Sequence, residues 1–280
     1  MTGAVTIRGT TRVAAVIGWP VAHSRSPAML NAAFAAADVD AVMVPLAVEP
    51  ANLKAALHGL AAAGLVGASV TAPHKEATAA AADRLEGLAA VLGVANCVVF
   101  DGGKVIGHNT DAPGFVDGLI ERGWAPRGRT AIVLGSGGAA RAVVAGLREA
   151  GATIVVVARR PTSAKPWAPA IAPWTDAAMT AVMRTADLVV DCTDAALDPA
   201  RDQAMADTLP LAALPSHALV ASLVYHRTAA ILDRAAARDL TILDGRAMLV
   251  HQGARAFTLW TGAAAPVGVM RTALDRSIDP

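Results

Sequence analysis

In the segment Thr130-Ala131-Ile132-Val133-Leu134-Gly135-Ser136-Gly137-Gly138-Ala139-Ala140, a short apolar run gives way to closely spaced glycines. These lead into a helix-forming stretch, Ala139–Ala150, that stops at Gly151. A strand, a tight glycine turn and a helix in that order meet the G-x-G-x-x-A pattern in the context it requires. The glycines let the backbone turn sharply and approach a ligand closely, so that the helix N-terminus can hold a pyrophosphate. The spacing therefore predicts a dinucleotide cradle built from Gly135, Ser136, Gly137, Gly138 and Ala139.

Downstream, Thr153–Val157 reads as the second strand of this unit and runs into Ala158-Arg159-Arg160. A cofactor with a free ribose 2′-hydroxyl would be met here by Asp or Glu, yet no carboxylate occurs from Gly151 through Thr175. Two guanidiniums stand there instead, which suits a 2′-phosphate and favours NADP over NAD; two solvated loop arginines are the plainer alternative. Further strands follow at Leu188–Asp191, Ala218–Val224 and Thr241–Leu243, and Met248–Thr261 reads as a closing helix.

Upstream, β-branched runs alternate with alanine-rich stretches. Arg12–Ile17, Ala41–Val48 and Gly67–Thr71 read as strands, and Ala95–Phe100 with Lys104–Gly107 as a hairpin through Asp101-Gly102-Gly103. Pro27–Ala37 with Ser26 as N-cap, Pro50–Ala63 and Glu76–Ala90 read as helices, and Ala112–Glu121 as a connecting one. The expected class is α/β, with two domains. Residues 1–111 are expected to form an N-terminal domain with a mainly parallel open sheet, joined by a C-terminal helix at 247–280. Residues 112–246 form a Rossmann-type dinucleotide-binding domain.

The whole composition agrees with such a pair. The 280 residues are 54% hydrophobic and carry 24 Lys+Arg against 23 Asp+Glu, enough apolar material for a large core and too little net charge for a nucleic-acid footprint. Ala55–His74 and Thr208–His226 are free of Asp, Glu, Lys and Arg over about twenty residues, the length of a bilayer span, but glycines, prolines and histidines interrupt both. No membrane segment or export signal is expected. Two cysteines, Cys97 and Cys192, make no disulfide framework and fit a reducing, cytoplasmic setting. The seven histidines show no metal-ligand spacing, so no metal is expected. Small molecules are the expected partners, with the chain a monomer or homodimer.

Three short motifs carry the remaining chemistry. His23-Ser24-Arg25-Ser26-Pro27 puts two hydroxyls at a helix start, a cradle for a carboxylate, although Ser26 could equally serve only as a cap. Ser69-Val70-Thr71-Ala72-Pro73-His74-Lys75 sets a lysine just past the carboxyl end of a strand, where open α/β sheets place their chemistry. Asn109-Thr110-Asp111 could supply an acid beside it. Lys plus Asp is a proton-transfer pair if the two meet, which spacing alone does not decide.

Taken in order, Ser24-Arg25-Ser26-Pro27, Val70-Thr71-Ala72-Pro73-His74-Lys75, Asn96, Asn109-Thr110-Asp111, Gly135–Ala140 and Met248-Leu249-Val250-His251-Gln252 resemble the shikimate dehydrogenase family, from about Arg12 to Trp260. The resemblance implies an NADP-dependent enzyme, free of metal, that interconverts 3-dehydroshikimate and shikimate, with residues 1–111 as its substrate-binding domain. By motif position it implies Lys75 and Asp111 as the catalytic pair and Ser24 and Ser26 as carboxylate-binding hydroxyls. Thr71, Asn96 and Gln252 would meet ring hydroxyls, and Tyr225 a further substrate-side position. Arg159 would contact the 2′-phosphate, with Ala158, Arg160 and Thr193 beside the cofactor.

Departures from the family pattern gather near the expected cleft: Ser69 for a common asparagine, Ala112 for a glycine, Asp191-Cys192-Thr193-Asp194 for N-A-T-S, and Ser222 for a common Asp. The segment after Tyr225 is about two residues short. A paralogue acting on quinate or aminoshikimate, a non-catalytic sensor, and a different two-domain NADP enzyme such as a folate dehydrogenase-like one are the alternatives.

Overall fold

The computed structural model describes residues 7–160, 167–195 and 198–278. It divides into two compact units, Met1–Asp111 with Val250–Pro280, and Ala112–Leu249.

The first unit is built on a six-stranded sheet formed by β1 (Arg12–Gly18), β2 (Ala41–Ala47), β3 (Gly67–Val70), β4 (Arg84–Leu85), β5 (Cys97–Asp101) and β6 (Lys104–His108), in the order β2-β1-β3-β5-β6-β4. β1 runs parallel to β2 and β3, while β5 is antiparallel to β3 and β6. The tight reversal between β5 and β6 falls on Gly102 and Gly103, with φ of 55° and 77°, the mirror-image turn that matches strand twist.

On one face, α2 (Leu53–Ala62) buries Leu53, Leu57 and Ala61 against Ala15, Ile17, Ala68 and Val98. The other face meets α1 (Ser26–Ala36) and α10 (Gly245–Thr261), where the Phe34 and Phe257 rings lie 5.5 Å apart. Trp260 Nε1 donates to the Val98 carbonyl at 3.0 Å, and a Cβ on Gly67 would overlap the Trp260 indole.

Three readings of this unit need correction. The stretch Glu76–Ala90 is not one helix but α3 (Lys75–Ala81), β4 and α4 (Leu88–Leu92). Alanine's helix preference yields to tertiary pairing: Asp83 N–H donates to the Val105 carbonyl, its carboxylate accepts from Val105 N–H at 2.8 Å, and Glu86 N–H donates to Gly107. Ser26 is not a cap but the first residue of α1, and its own N–H points to Ser24 Oγ at 3.4 Å. The carboxyl-terminal stretch 247–280 holds two helices, α10 and α11 (Val267–Ile278), because the chain turns at Gly262 with φ 72° and Pro266 follows.

The second unit carries β7 (Thr130–Leu134), β8 (Thr153–Ala158), β9 (Ile171–Pro173), β10 (Leu188–Asp191), β11 (Leu219–Ser222) and β12 (Thr241–Leu243), all parallel, in the order β12-β11-β10-β7-β8-β9. This is the doubly wound 3-2-1-4-5-6 order with β7 as its first strand. The strands are buried on both sides, and β7 shows why: Ala131 and Val133 join one apolar cluster, Ile132 and Leu134 the other. The first cluster is closed by α5 (Asp111–Glu121) and α6 (Gly138–Glu149), through Phe115, Leu119, Val143 and Leu147. A Cβ on Gly146 would meet the Ala112 carbonyl oxygen at 2.5 Å, so α6 approaches α5 with backbone against backbone. The second cluster is closed by α7 (Asp176–Met183) and α9 (Ala230–Ala236). β9, α7, α8 (Pro199–Asp207) and α9 lie outside the elements read from the sequence.

Candidate functional sites

Parallel β1 and β3 end together, and Thr71 N–H donates to the Ile17 carbonyl at that edge. The segments that follow carry Ser24 and Thr71 on the loops after β1 and β3, and Ser26 and Lys75 at the first residues of α1 and α3. Because β5 is antiparallel to β3, its first residues arrive at the same edge, where Asn96 accepts from Val70 N–H through its backbone carbonyl. β6 returns antiparallel to β5 and delivers Asn109-Thr110-Asp111 there as well.

Lys75 and Asp111, 36 residues apart, meet: Nζ donates to Asp111 Oδ2 at 2.6 Å, with the lysine side chain 37% exposed and the aspartate 12%. The other carboxylate oxygen, Oδ1, accepts from Asn96 Nδ2 at 2.9 Å. That same amide lies 2.9 Å from Thr110 Oγ1 and 3.5 Å from Gln252 Oε1, and Asn96 Oδ1 accepts from Thr110 N–H at 2.7 Å. The aspartate is thus held on one side by the buried Asn96 amide and presents its second oxygen to the lysine. Both partners are charged groups within hydrogen-bond reach, one of them open to solvent and so able to meet a ligand.

His74 is a positioning residue that the sequence reading passed over. It is buried, and its Nε2 is 2.7 Å from the Val48 carbonyl, tying the loop before Lys75 to the end of β2. The signal was only its place beside Lys75. Cys97 is fully buried, and burial, with the Asp111 carboxylate nearby, pushes its thiol well above the ordinary range, so it carries no thiolate chemistry.

In the second unit, a cleft of about 560 Å³ opens at the carboxyl ends of β7, β8, β10 and β11. It is lined by Gly135, Ser136, Gly137, Gly138 and Ala139, by Arg159 and Arg160, by Asp191, Cys192, Thr193 and Asp194, and by Tyr225. Gly135 has φ 107°, and a Cβ there would press on the Cys192 carbonyl at 3.0 Å. Gly137 and Gly138 have nothing within 4 Å of where a Cβ would stand, and α6 begins without a side-chain cap. Open glycines before an uncapped helix start are what a pyrophosphate needs, and Ala140, fully buried, supplies the close packing beneath. With two guanidiniums in the same cleft, the donor set fits a phosphorylated dinucleotide.

Ala158 is a correction. It is 1% exposed and packs in the apolar cluster beneath α6, because strand alternation turns its methyl inward, and it does not line the cleft. Trp174 and His226 line the cleft without having been singled out, Trp174 because β9 itself was not read. Of the departures, Ser69 and Ser222 are buried in β3 and β11, and Ala112 lies beneath Gly146. Asp191 is 1% exposed at the end of β10 and accepts from Thr193 N–H at 2.9 Å. Burial pushes its carboxyl above the ordinary value, more than that amide and the Thr193 hydroxyl pull it down.

Among the described residues, no group of three His, Cys, Asp or Glu is placed to hold a metal ion, and no helix is long and apolar enough to cross a membrane.

The shikimate dehydrogenase substrate-binding domain model matches residues 16–98, the shikimate 5′-dehydrogenase C-terminal domain model residues 245–274, and a putative NAD(P)-binding model residues 123–209. A shikimate dehydrogenase (NADP(+)) of Desulforamulus reducens is 39% identical over 97% of this chain and 97% of its own. That of Symbiobacterium thermophilum is 41% identical over 96% and 95%. The crystal structure of shikimate 5-dehydrogenase from Thermus thermophilus in complex with NADP(H) and shikimate is 34% identical, with a TM-score of 0.85 over 95% of this chain and 99% of that one. With near-complete coverage at about 40% identity, and with both terminal family domains matched, the chain belongs to the shikimate dehydrogenase family.

Proposed function

We propose that this chain is an NADP-dependent shikimate dehydrogenase that interconverts 3-dehydroshikimate and shikimate. The observation that carries the reading is the Lys75–Asp111 pair held by Asn96 beside Gln252. Gly135–Ala139 and Arg159 would hold the dinucleotide, which would supply or take up the hydride.

The chain's own work is on the proton. In ketone reduction the Lys75 ammonium donates to the developing alkoxide; in alcohol oxidation the neutral amine accepts the hydroxyl proton. Asp111 holds the lysine and meets a ring hydroxyl, and because its Oδ1 is already taken by Asn96, its free direction is fixed. Ser24 and Ser26 receive the substrate carboxylate at the start of α1, and Thr71, Asn96 and Gln252 meet ring hydroxyls. Tyr225 is a substrate-side contact, and Arg160 and Thr193 border the cofactor. Residues 1–111 with the C-terminal helices act as the substrate domain, and the segment between as the cofactor domain. Two cysteines, both buried and free, fit a reducing cytoplasmic setting.

Initial rates with shikimate, quinate and aminoshikimate, each with NADP and with NAD, test this directly. The highest kcat/KM is expected for shikimate with NADP. A preference for quinate or aminoshikimate would move the chain to a paralogous activity. Tight binding of shikimate and NADPH without turnover would make it a sensor.

A further inference from the structure

The cofactor cleft contains an anion of its own. Asp194, two residues beyond Cys192 in the loop after β10, lines the cleft together with Arg159. Its Oδ1 is 3.6 Å from Arg159 Nη2, and its Oδ2 accepts from Arg201 Nη2 at 2.9 Å. One carboxylate therefore gathers two guanidiniums, one from the turn after β8 and one from α8. Arg201 and, more weakly, Arg159 hold that carboxyl below its ordinary value, so it is charged at neutral pH. The stretch from Gly151 to Thr175 carries no carboxylate that could meet a ribose hydroxyl. The fold brings one in from another strand.

We propose that Asp194 is a selectivity residue of the cofactor site, which competes with the 2′-phosphate of NADP for Arg159 and so narrows the preference for NADP over NAD. This rests on the NADP reading given above. A 2′-phosphate entering beside Arg159 meets an anion already seated there and must share or displace it. A 2′-hydroxyl carries no such penalty and finds in the carboxylate a hydrogen-bond acceptor. Arg201 moderates the effect by neutralising Asp194 from the far side. Its own backbone N–H is held by the Asp198 cap of α8, which keeps the helix in place when the side chain is changed.

The test is the dissociation constant of NADPH and of NADH, read from nicotinamide fluorescence on the full chain, for the natural protein and for Asp194→Asn, Arg201→Ala and Arg159→Ala. Asp194→Asn is expected to tighten NADPH about three- to tenfold and to leave NADH unchanged or weaker, with the gain shrinking at high salt. Arg201→Ala is expected to act in the opposite direction, loosening NADPH more than NADH, because Asp194 then faces the phosphate without its counter-charge. All three side-chain changes lie at exposed positions, and a melting curve for each variant confirms folding. Equal shifts for both dinucleotides in Asp194→Asn, or looser NADPH, would overturn the proposal and make Asp194 a mere support for the arginines. If Arg159→Ala loosens NADPH and Asp194→Asn changes nothing, the proposal fails while the NADP reading stands. If the natural protein binds neither dinucleotide, both fall.

Discussion

Lys75 and Asp111 were both legible in the sequence, each just beyond a strand, but their meeting was not. It depends on β5 and β6 running antiparallel so that residues 36 apart come within 2.6 Å. If the lysine moves the proton, Lys75→Ala lowers kcat by a factor of about 10²–10⁴ and leaves NADPH affinity unchanged. Asp111→Asn keeps the shape, removes the charge and lowers kcat as well. A folded Lys75→Ala variant with near-normal kcat and a raised KM would reduce the lysine to an anchor. Asp191 poses a different question. It was visible as a departure from asparagine, but its burial was not, since that depends on what the fold packs around the end of β10. Burial raises its carboxyl above the ordinary value, with Asp202 adding to the rise and Arg227 opposing it. A raised folded value means that the cost of ionisation is absent at acid pH and grows as pH rises through that value. Asp191→Asn removes this cost, so the variant should melt higher than the natural protein at pH 8, by about 2–4 °C per kcal/mol relieved. The gap should close toward pH 4. A variant that melts lower at pH 8, or a gap that widens in acid, would show that the charged carboxylate is stabilising.

At the scale of elements, strands were read well where their physics is local and helices less well where it is not. Thr130–Leu134, Leu188–Asp191 and Thr241–Leu243 match β7, β10 and β12 residue for residue, because buried parallel strands are short apolar runs bounded by turn formers. Glu76–Ala90 failed because nothing in an alanine-rich stretch announces that Asp83 and Glu86 will pair with β6. Ser26 failed as a cap because the helix begins one residue earlier than its proline suggests, with Arg25 at the N-cap position and Ser26 already helical. Gly67 tests how closely such an element can be approached. It sits in β3 beneath Trp260 of α10, and its missing side chain lets the indole reach the Val98 carbonyl. Gly67→Ala forces the indole away and breaks that hydrogen bond, an overpacking cost of about 1–3 kcal/mol. The melting point should fall by several degrees. Trp260→Phe, which cannot donate, should lose part of the same stability on its own and should make the added cost of Gly67→Ala smaller. Full additivity of the two changes would mean that they do not act through one contact.

Across the whole molecule the chain is asymmetric in how its units are assembled, and this leads to different expectations for their fragments. Residues 112–249 form one continuous stretch whose six parallel strands are covered on both faces, each face with its own apolar cluster drawn from within the stretch. Its glycine loop, Arg159, Asp194 and Tyr225 all lie inside it. At this size a sheet buried on both sides has enough core to fold alone. The fragment 112–249 should therefore melt cooperatively and bind NADPH within about tenfold of the full chain, since no cleft-lining residue is lost. The first unit is discontinuous. α10 and α11 from residues 250–278 complete the packing around α1 and the sheet face it shares, through Phe257 against Phe34, Trp260 on Val98 and Gly253 against Met29. Residues 1–111 alone keep only α1 on that face, with its Phe34 and Met29, both buried in the full chain, open to water. This fragment should show no cooperative transition and should aggregate, while 1–111 supplied with a peptide of residues 250–280 should regain one. A sharp melting transition in 1–111 by itself, or the lack of one in 112–249, would mean that the folding units are not the two compact bodies into which the chain divides.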